Sequence, residues 1–196
     1  SMIYDKPDMI GGITKELYRV LKRGGVVVWV VNDQTIKGSE SLTSFKTAIK
    51  FVDDAGFILH DTMIYEKNTS SFPARRTGNR YTQIFEYMFV FCKRKIKTFN
   101  PIKDRKNKTA GQKKSGTIRQ EAGSLKPKSS IGKVRGEYSQ RFNIWECKTV
   151  GGIERTGHPA QFSEQLANDH ILSWSNEGDI VFDPFLGSGT TAKMAV

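Results

Sequence analysis

The stretch that decides the fold is Ile180-Val181-Phe182-Asp183-Pro184-Phe185-Leu186-Gly187-Ser188-Gly189-Thr190-Thr191. A short apolar run over 179–182 reads as a strand that delivers an acidic residue into a glycine turn and a helix start. Gly187 and Gly189 remove the side chains that would block a ligand from the backbone. Free N–H groups at a helix start suit a carboxylate or phosphate, so the geometry suits a small anionic cofactor at the strand ends. The stretch lacks the Gly-Lys-Ser/Thr ending of a phosphate loop, and Ala192 stands where a full G-x-G-x-x-G needs its third glycine.

Outward from this turn, the chain alternates helix and strand. Met9 to Lys22 has Ile13, Leu17, Val20 and Leu21 at helical spacing and ends at Arg23-Gly24-Gly25. The β-branched run Val26 to Val31 reads as a strand buried on both faces. Ser41 to Ala55 reads as a helix with Phe45, Ile49 and Val52 on its core face. Phe57 to Tyr65 and Ile84 to Cys92 read as strands. Gln161 to Ser175 reads as a helix with Phe162, Leu166, Ile171 and Leu172 inward. The pattern is α/β, doubly wound.

Charge divides the chain. The whole carries +11, yet Lys93 to Arg155 alone holds 18 Lys and Arg against 5 Asp and Glu. That basic stretch has little periodicity and is expected to be partly ordered at best, with Phe142-Asn143-Ile144-Trp145 as its apolar anchor. Such an excess points to a polyanionic partner. Lys106, Lys108, Lys113, Lys114, Lys126, Lys128, Lys133 and Arg135 are the candidate phosphate contacts, against the plainer reading of a solvated linker. Cys92 and Cys147 form neither a disulfide framework nor a zinc pair, and a reducing cytoplasm fits them. No apolar run approaches the roughly 20 residues of a membrane span. His60 and His170 have no partners at metal-ligating spacing.

Asp183-Pro184-Phe185 with Gly187-Ser188-Gly189-Thr190-Thr191, preceded by His158-Pro159-Ala160-Gln161-Phe162, resembles the S-adenosylmethionine site of DNA amino-methyltransferases. The segment 16–25, Glu-Leu-Tyr-Arg-Val-Leu-Lys-Arg-Gly-Gly, is similar to that family's helix and turn before its fifth strand. Residues 80–91 are similar to its late antiparallel strand. The resemblance covers roughly residues 9–100 and 142–196, and the motif order is that of the beta-type permutation.

The resemblance implies a Rossmann-like class I methyltransferase sheet with helices on both faces and a basic target-recognition insert. It implies methyl transfer from S-adenosylmethionine to the exocyclic amine of adenine or cytosine in double-stranded DNA, by base flipping. A non-catalytic DNA-binding relic and an RNA methyltransferase are the alternatives. Domain bounds are 1–95 for the catalytic-half part, 96–150 for the insert and 151–196 for the cofactor part. Asp183, Phe185, Gly187, Ser188, Gly189 and Thr190 correspond to the cofactor loop, and His158, Pro159 and Ala160 to the segment at the methionine end. His158 is a shape and capping residue or a general base; Asn32 and Asp33 are either pocket residues or a plain turn; Trp145 and Phe142 are core anchors or base-stacking groups. No metal is implied, and the setting is the cytoplasm of a prokaryotic or phage-like source.

The family's tetrapeptide, Asp/Asn/Ser-Pro-Pro-Tyr/Phe/Trp, is not found in these 196 residues, so no catalytic residue is assigned. The expectation is therefore a fragment of a longer polypeptide. Its strand at 179–182 would lack its usual neighbour and would not pair with Val26 to Val31. An unpaired edge of that kind favours aggregation or a homodimer through strand exchange.

Overall fold

The computed structural model describes residues 9–68, 79–121, 123–147 and 161–196. It divides into a larger unit, residues 1–100 and 143–196, and a smaller one, Pro101–Phe142.

In the larger unit, α1 (Met9–Val20) presents Ile10, Thr14 and Leu17 inward. Gly24, at φ +83°, turns the chain into β1 (Val26–Val31). Side chains rarely adopt that φ, and an added Cβ would lie 2.8 Å from the Lys97 side chain, so glycine is required twice over. Two short pieces, β2 (Thr35–Ile36) and β3 (Ser39–Glu40), make a small hairpin before α2 (Thr43–Ile49). A wider turn of helix, Lys50–Asp54, follows α2. Then come β4 (Ile58–Lys67) and β5 (Phe85–Cys92). After the smaller unit, β10 (Ile144–Cys147), α3 (Glu164–Trp174) and α4 (Thr190–Met194) complete the unit.

The sheet runs β1-β5-β4-β10. β5 is antiparallel to both β1 and β4, and β10 is parallel to β4. Alternation along β5 sorts the layers. Phe89 and Phe91 join a core with Leu17, Trp29, Phe51 and Phe57, and the Phe51 and Phe91 rings stack at 4.2 Å. Met88 points the other way, to His170 of α3 at 3.2 Å, and Trp145 of β10 stacks on the same imidazole at 4.6 Å. Helices therefore cover both faces, the layered Rossmann-like α/β arrangement that the sequence pattern implies.

Several expectations need correction. The core face of the helix expected over 41–55 is wrong. Phe45, Ile49 and Val52 are exposed, whereas Ser44, Thr47, Ala48 and Phe51 are buried. Ser44, Thr47, Ala48 and Phe51 keep the i, i+3, i+4, i+7 spacing of one helical face, and that face, next to the expected one, is what packs on the core. Leu172 is likewise exposed rather than inward.

Residues 179–182 form no strand, because no described strand lies beside them. Ile180 and Phe182 are exposed at 80% and 65%, and among the described strands β1 is bonded to β5 alone. The two segments do not pair directly, as the motif order implies.

The basic stretch is also more ordered than its composition suggests. In the smaller unit, β6 (Arg105–Lys106) pairs antiparallel with β9 (Tyr138–Ser139), and β7 (Thr117–Arg119) with β8 (Leu125–Pro127). A bridge between Lys113 and Val134 lies between the two pairs. Arg141 grips Asp104 in an ion pair at 2.5 Å, and the Arg105 guanidinium lies 4.2 Å over the Phe142 ring. Phe142, 62% exposed, is therefore no core anchor, whereas Trp145, 5% exposed, is one.

Candidate cofactor and nucleic-acid sites

Asp183 organises the glycine turn. Its Oδ1 accepts the Phe185 backbone N–H at 2.8 Å, and its Oδ2 accepts the Thr191 hydroxyl at 2.6 Å. The carboxylate thus ties the start of the turn to the first turn of α4, the role an acidic residue before a glycine loop can fill. Gly187 sits at φ +51° and Gly189 at φ +83°, where other residues are strained. Ser188 and Thr190 share a hydroxyl–hydroxyl hydrogen bond of 3.1 Å, and Thr190 is buried. An added Cβ at Gly189 would meet nothing within 4 Å. The turn is open on its ligand side, so these residues fit a small cofactor laid against their backbone.

The structure brings β1 to this turn. The Phe185 ring, 44% exposed, meets Trp29 edge-on at 5.8 Å. The buried Trp29 indole N–H has no hydrogen-bond partner among the described residues. Such an orphan donor is costly unless a bound group or a further backbone segment satisfies it. An apolar groove of 460 Å³ lies between α1 and the residues that lead into the turn, lined by Met9, Ile13, Leu17, Val20, Phe182 and Pro184. His158, Pro159 and Ala160 lie outside the described residues.

At the end of β1, Asp33 is 7% exposed and accepts the Ser44 N–H at 3.2 Å and the Ser41 hydroxyl at 3.1 Å through Oδ1. Its Oδ2 accepts the Ser44 hydroxyl. Leu42, which precedes α2 at φ +55°, supplies no side-chain cap. Asp33 therefore caps α2 from a distance, where a negative charge is favoured. The sequence signal was present in the aspartate after a buried strand and the Ser-x-x-Ser that follows. Asn32 accepts the Gln83 amide at 2.6 Å and so links this corner to the approach to β5.

Of the two isolated histidines, His170 is buried and His60 is exposed. Burial lowers the His170 pKa to about 3, and its Nδ1 accepts the Trp174 indole at 3.4 Å. His60 meets the Trp174 ring edge-on at 6.0 Å. Among the described residues no group of His, Cys, Asp and Glu could hold a metal ion. No described helix is long and apolar enough to cross a membrane.

All eight candidate phosphate contacts lie in the smaller unit. Lys106, Lys108, Lys113, Lys126, Lys128 and Lys133 are exposed, and Lys114 and Arg135 are half-buried. The backbone brings several together across the ladder: Lys114 N–H donates to the Lys133 carbonyl at 2.8 Å, and Arg135 N–H to Gln112 at 2.9 Å. None of the eight makes an ion pair with a described residue, in contrast to Arg141.

Comparison with known proteins converges on one family. A family model described as DNA methylase matches residues 7–196. The orphan methyltransferase M.BamHII of Bacillus amyloliquefaciens is 55% identical over 190 residues, covering 92% of this chain and 69% of its own length. The type II methyltransferase M.MjaI of Methanocaldococcus jannaschii is 29% identical over 199 residues, and the chain spans 57% of its length. Among solved structures, the M1.HpyAVI–SAM complex aligns with a TM-score of 0.62 at 24% identity, over 97% of this chain and 74% of that one. The PvuII cytosine-N4-specific DNA methyltransferase aligns with a TM-score of 0.67 at 18% identity, over 96% of this chain and 62% of that one.

Proposed function

The chain belongs to the family of adenine-N6 and cytosine-N4 DNA methylases, and from that premise we propose that it is the cofactor- and target-binding part of a DNA amino-methyltransferase. S-adenosylmethionine is the methyl donor, and when bound it supplies an electrophilic methyl group on a sulfonium. The observation that carries the reading is the turn from Asp183 to Thr191. A carboxylate pins both of its ends, and its two glycines leave the backbone approachable.

The residues divide the work. Gly187 and Gly189 let the cofactor approach the main chain, while Asp183 holds the turn in shape before binding, which lowers the ordering cost. Phe185, braced on Trp29, offers an aromatic edge and face beside the turn. Ser188 and Thr190 supply hydroxyls within the loop. His158, Pro159 and Ala160 are assigned to the methionine end by the resemblance of their motif alone. The cationic set Lys106, Lys108, Lys113, Lys114, Lys126, Lys128, Lys133 and Arg135 neutralises phosphates of duplex DNA. The target base leaves the stack so that its exocyclic amine reaches the methyl group. The group that accepts hydrogen bonds from that amine belongs to the family's tetrapeptide, which these residues do not include.

Photo-crosslinking tests the cofactor assignment. Labelled S-adenosylmethionine, irradiated with the full-length protein, is expected to mark the peptide that contains residues 183–191, and excess S-adenosylhomocysteine to prevent it. Labelling confined to other peptides would remove the turn from the cofactor site.

A further inference from the structure

The tip of the small unit is an exposed two-stranded ribbon. Thr117 faces Pro127, Ile118 faces Lys126 and Arg119 faces Leu125. The tip closes where Gln120 N–H donates to the Ser124 carbonyl and Gly123 N–H to the Gln120 carbonyl, both at 2.8 Å. Facing residues share a side of the ribbon. One side therefore carries Ile118 and Lys126, and Lys128 joins it opposite Gly116, whose added Cβ would lie 3.9 Å from the Lys128 side chain. The other side carries Thr117, Arg119, Leu125 and Pro127.

No described residue from Lys113 to Arg135 is buried. Ile118 and Leu125 stand 54% and 63% exposed beside the tip. A lone ribbon wet on both faces is marginal by itself. Apolar side chains at its end gain only when something covers them.

The charge selects the cover. Pro101–Phe142 holds 12 Lys and Arg against 3 Asp and Glu, and of the three acids Asp104 is already taken by Arg141. The major groove of B-form DNA, about 12 Å wide, admits a two-stranded ribbon. The deep, narrow major groove of an RNA helix does not. Resting on the reading of the chain as a DNA amino-methyltransferase, we infer that the Thr117–Pro127 ribbon enters the DNA major groove and that Arg119 and Gln120 read base edges there. Lys126 and Lys128 hold the flanking phosphates. Arginine matches the O6 and N7 acceptors of guanine, and glutamine the N6 and N7 pair of adenine. Leu125, on the same side of the ribbon as Arg119, suits the thymine methyl group.

The test is methylation of a randomised duplex library by the full-length protein, read by sequencing the methylated sites. Arg119→Ala and Gln120→Ala are each expected to flatten the base preference at one position by about 10-fold, within the range of one bidentate contact. Their affinity for S-adenosylmethionine should stay that of the parent, which separates lost readout from lost folding. Lys126→Ser with Lys128→Ser should lower the salt slope of binding by about 1.8 and leave the base preference intact. A library built with 7-deazapurines lacks the N7 acceptors, and on it the parent should lose the same preference. Unchanged preference in both single variants, or on the 7-deazapurine library, overturns the ribbon as a groove reader, as does structured RNA serving as the better acceptor. Absence of any methyl transfer to duplex DNA would overturn the underlying functional reading itself.

Discussion

Replacing Asp183 with alanine removes both hydrogen bonds that close the glycine turn, one from the Phe185 N–H at 2.8 Å and one from the Thr191 hydroxyl at 2.6 Å. A hydrogen bond to a charged group contributes about 1.5–3 kcal/mol when well buried. Asp183 is half-exposed, so about 1 kcal/mol for each bond is the better figure. Nothing else in the turn replaces those two ties, and the free loop then samples conformations that the cofactor must select against. The loss of about 2 kcal/mol corresponds to roughly a 30-fold weaker Kd for S-adenosylmethionine. Asp183→Asn keeps an acceptor for the Phe185 N–H, but its NH2 makes the Thr191 hydroxyl the acceptor and the charge is lost, so roughly a 5-fold loss is expected. Calorimetric titration of the full-length protein measures both, with the thermal midpoint as a check on folding. An alanine variant that is folded and binds within about twofold of the parent would show that the carboxylate does not shape the site.

Other outcomes follow from the same structure. Gly187→Leu places a branched side chain in the turn at φ +51°, where L side chains are strained, and cofactor binding should vanish in a folded protein by the same titration. Lys113, Lys114, Lys126 and Lys128 replaced together by serine should lower the log–log salt slope of DNA binding by about 3.6, measured by fluorescence anisotropy; an unaltered slope would make them bystanders. His170 has its pKa lowered to about 3 by burial, so below its ordinary value near 6.5 the unfolded chain binds a proton that the folded chain refuses. Stability should therefore fall as pH drops from about 6.5 toward 3, by roughly 2 kcal/mol at pH 5, and His170→Gln should remove this His-specific part of the slope in denaturant titrations.

Much of this was legible in the residues because burial imposes a period. Leu17 and its neighbours mark α1, and the continuous apolar runs mark β1 and β5. The glycine turn was legible for a different reason, since positive φ at Gly187 and Gly189 demands that residue type. Where no period is imposed, the sequence was silent. The ribbon from Thr117 to Pro127 is held by backbone hydrogen bonds and buries neither face, so no alternation betrays it. α2 misled in another way: Phe45, Ile49 and Val52 keep an ideal helical spacing, but the adjacent face, Ser44, Thr47, Ala48 and Phe51, keeps it too and is the buried one, although only two of its four residues are apolar. The run at 179–182 has strand composition, yet a strand exists only with a neighbour, and none is described beside it. Asp33 acts across 11 residues on Ser44, a distance at which capping leaves little local signature.

The most direct test of the central claim is chemical identification of the product. The full-length protein, incubated with duplex DNA and S-adenosylmethionine carrying an isotopically labelled methyl group, is followed by nucleoside digestion and mass spectrometry. The expected result is label on an exocyclic amine, as N6-methyldeoxyadenosine or N4-methyldeoxycytidine, lost in the Gly187→Leu variant. Label on a ring carbon, or none in any nucleoside of duplex DNA while the protein is folded and saturated with cofactor, would contradict it.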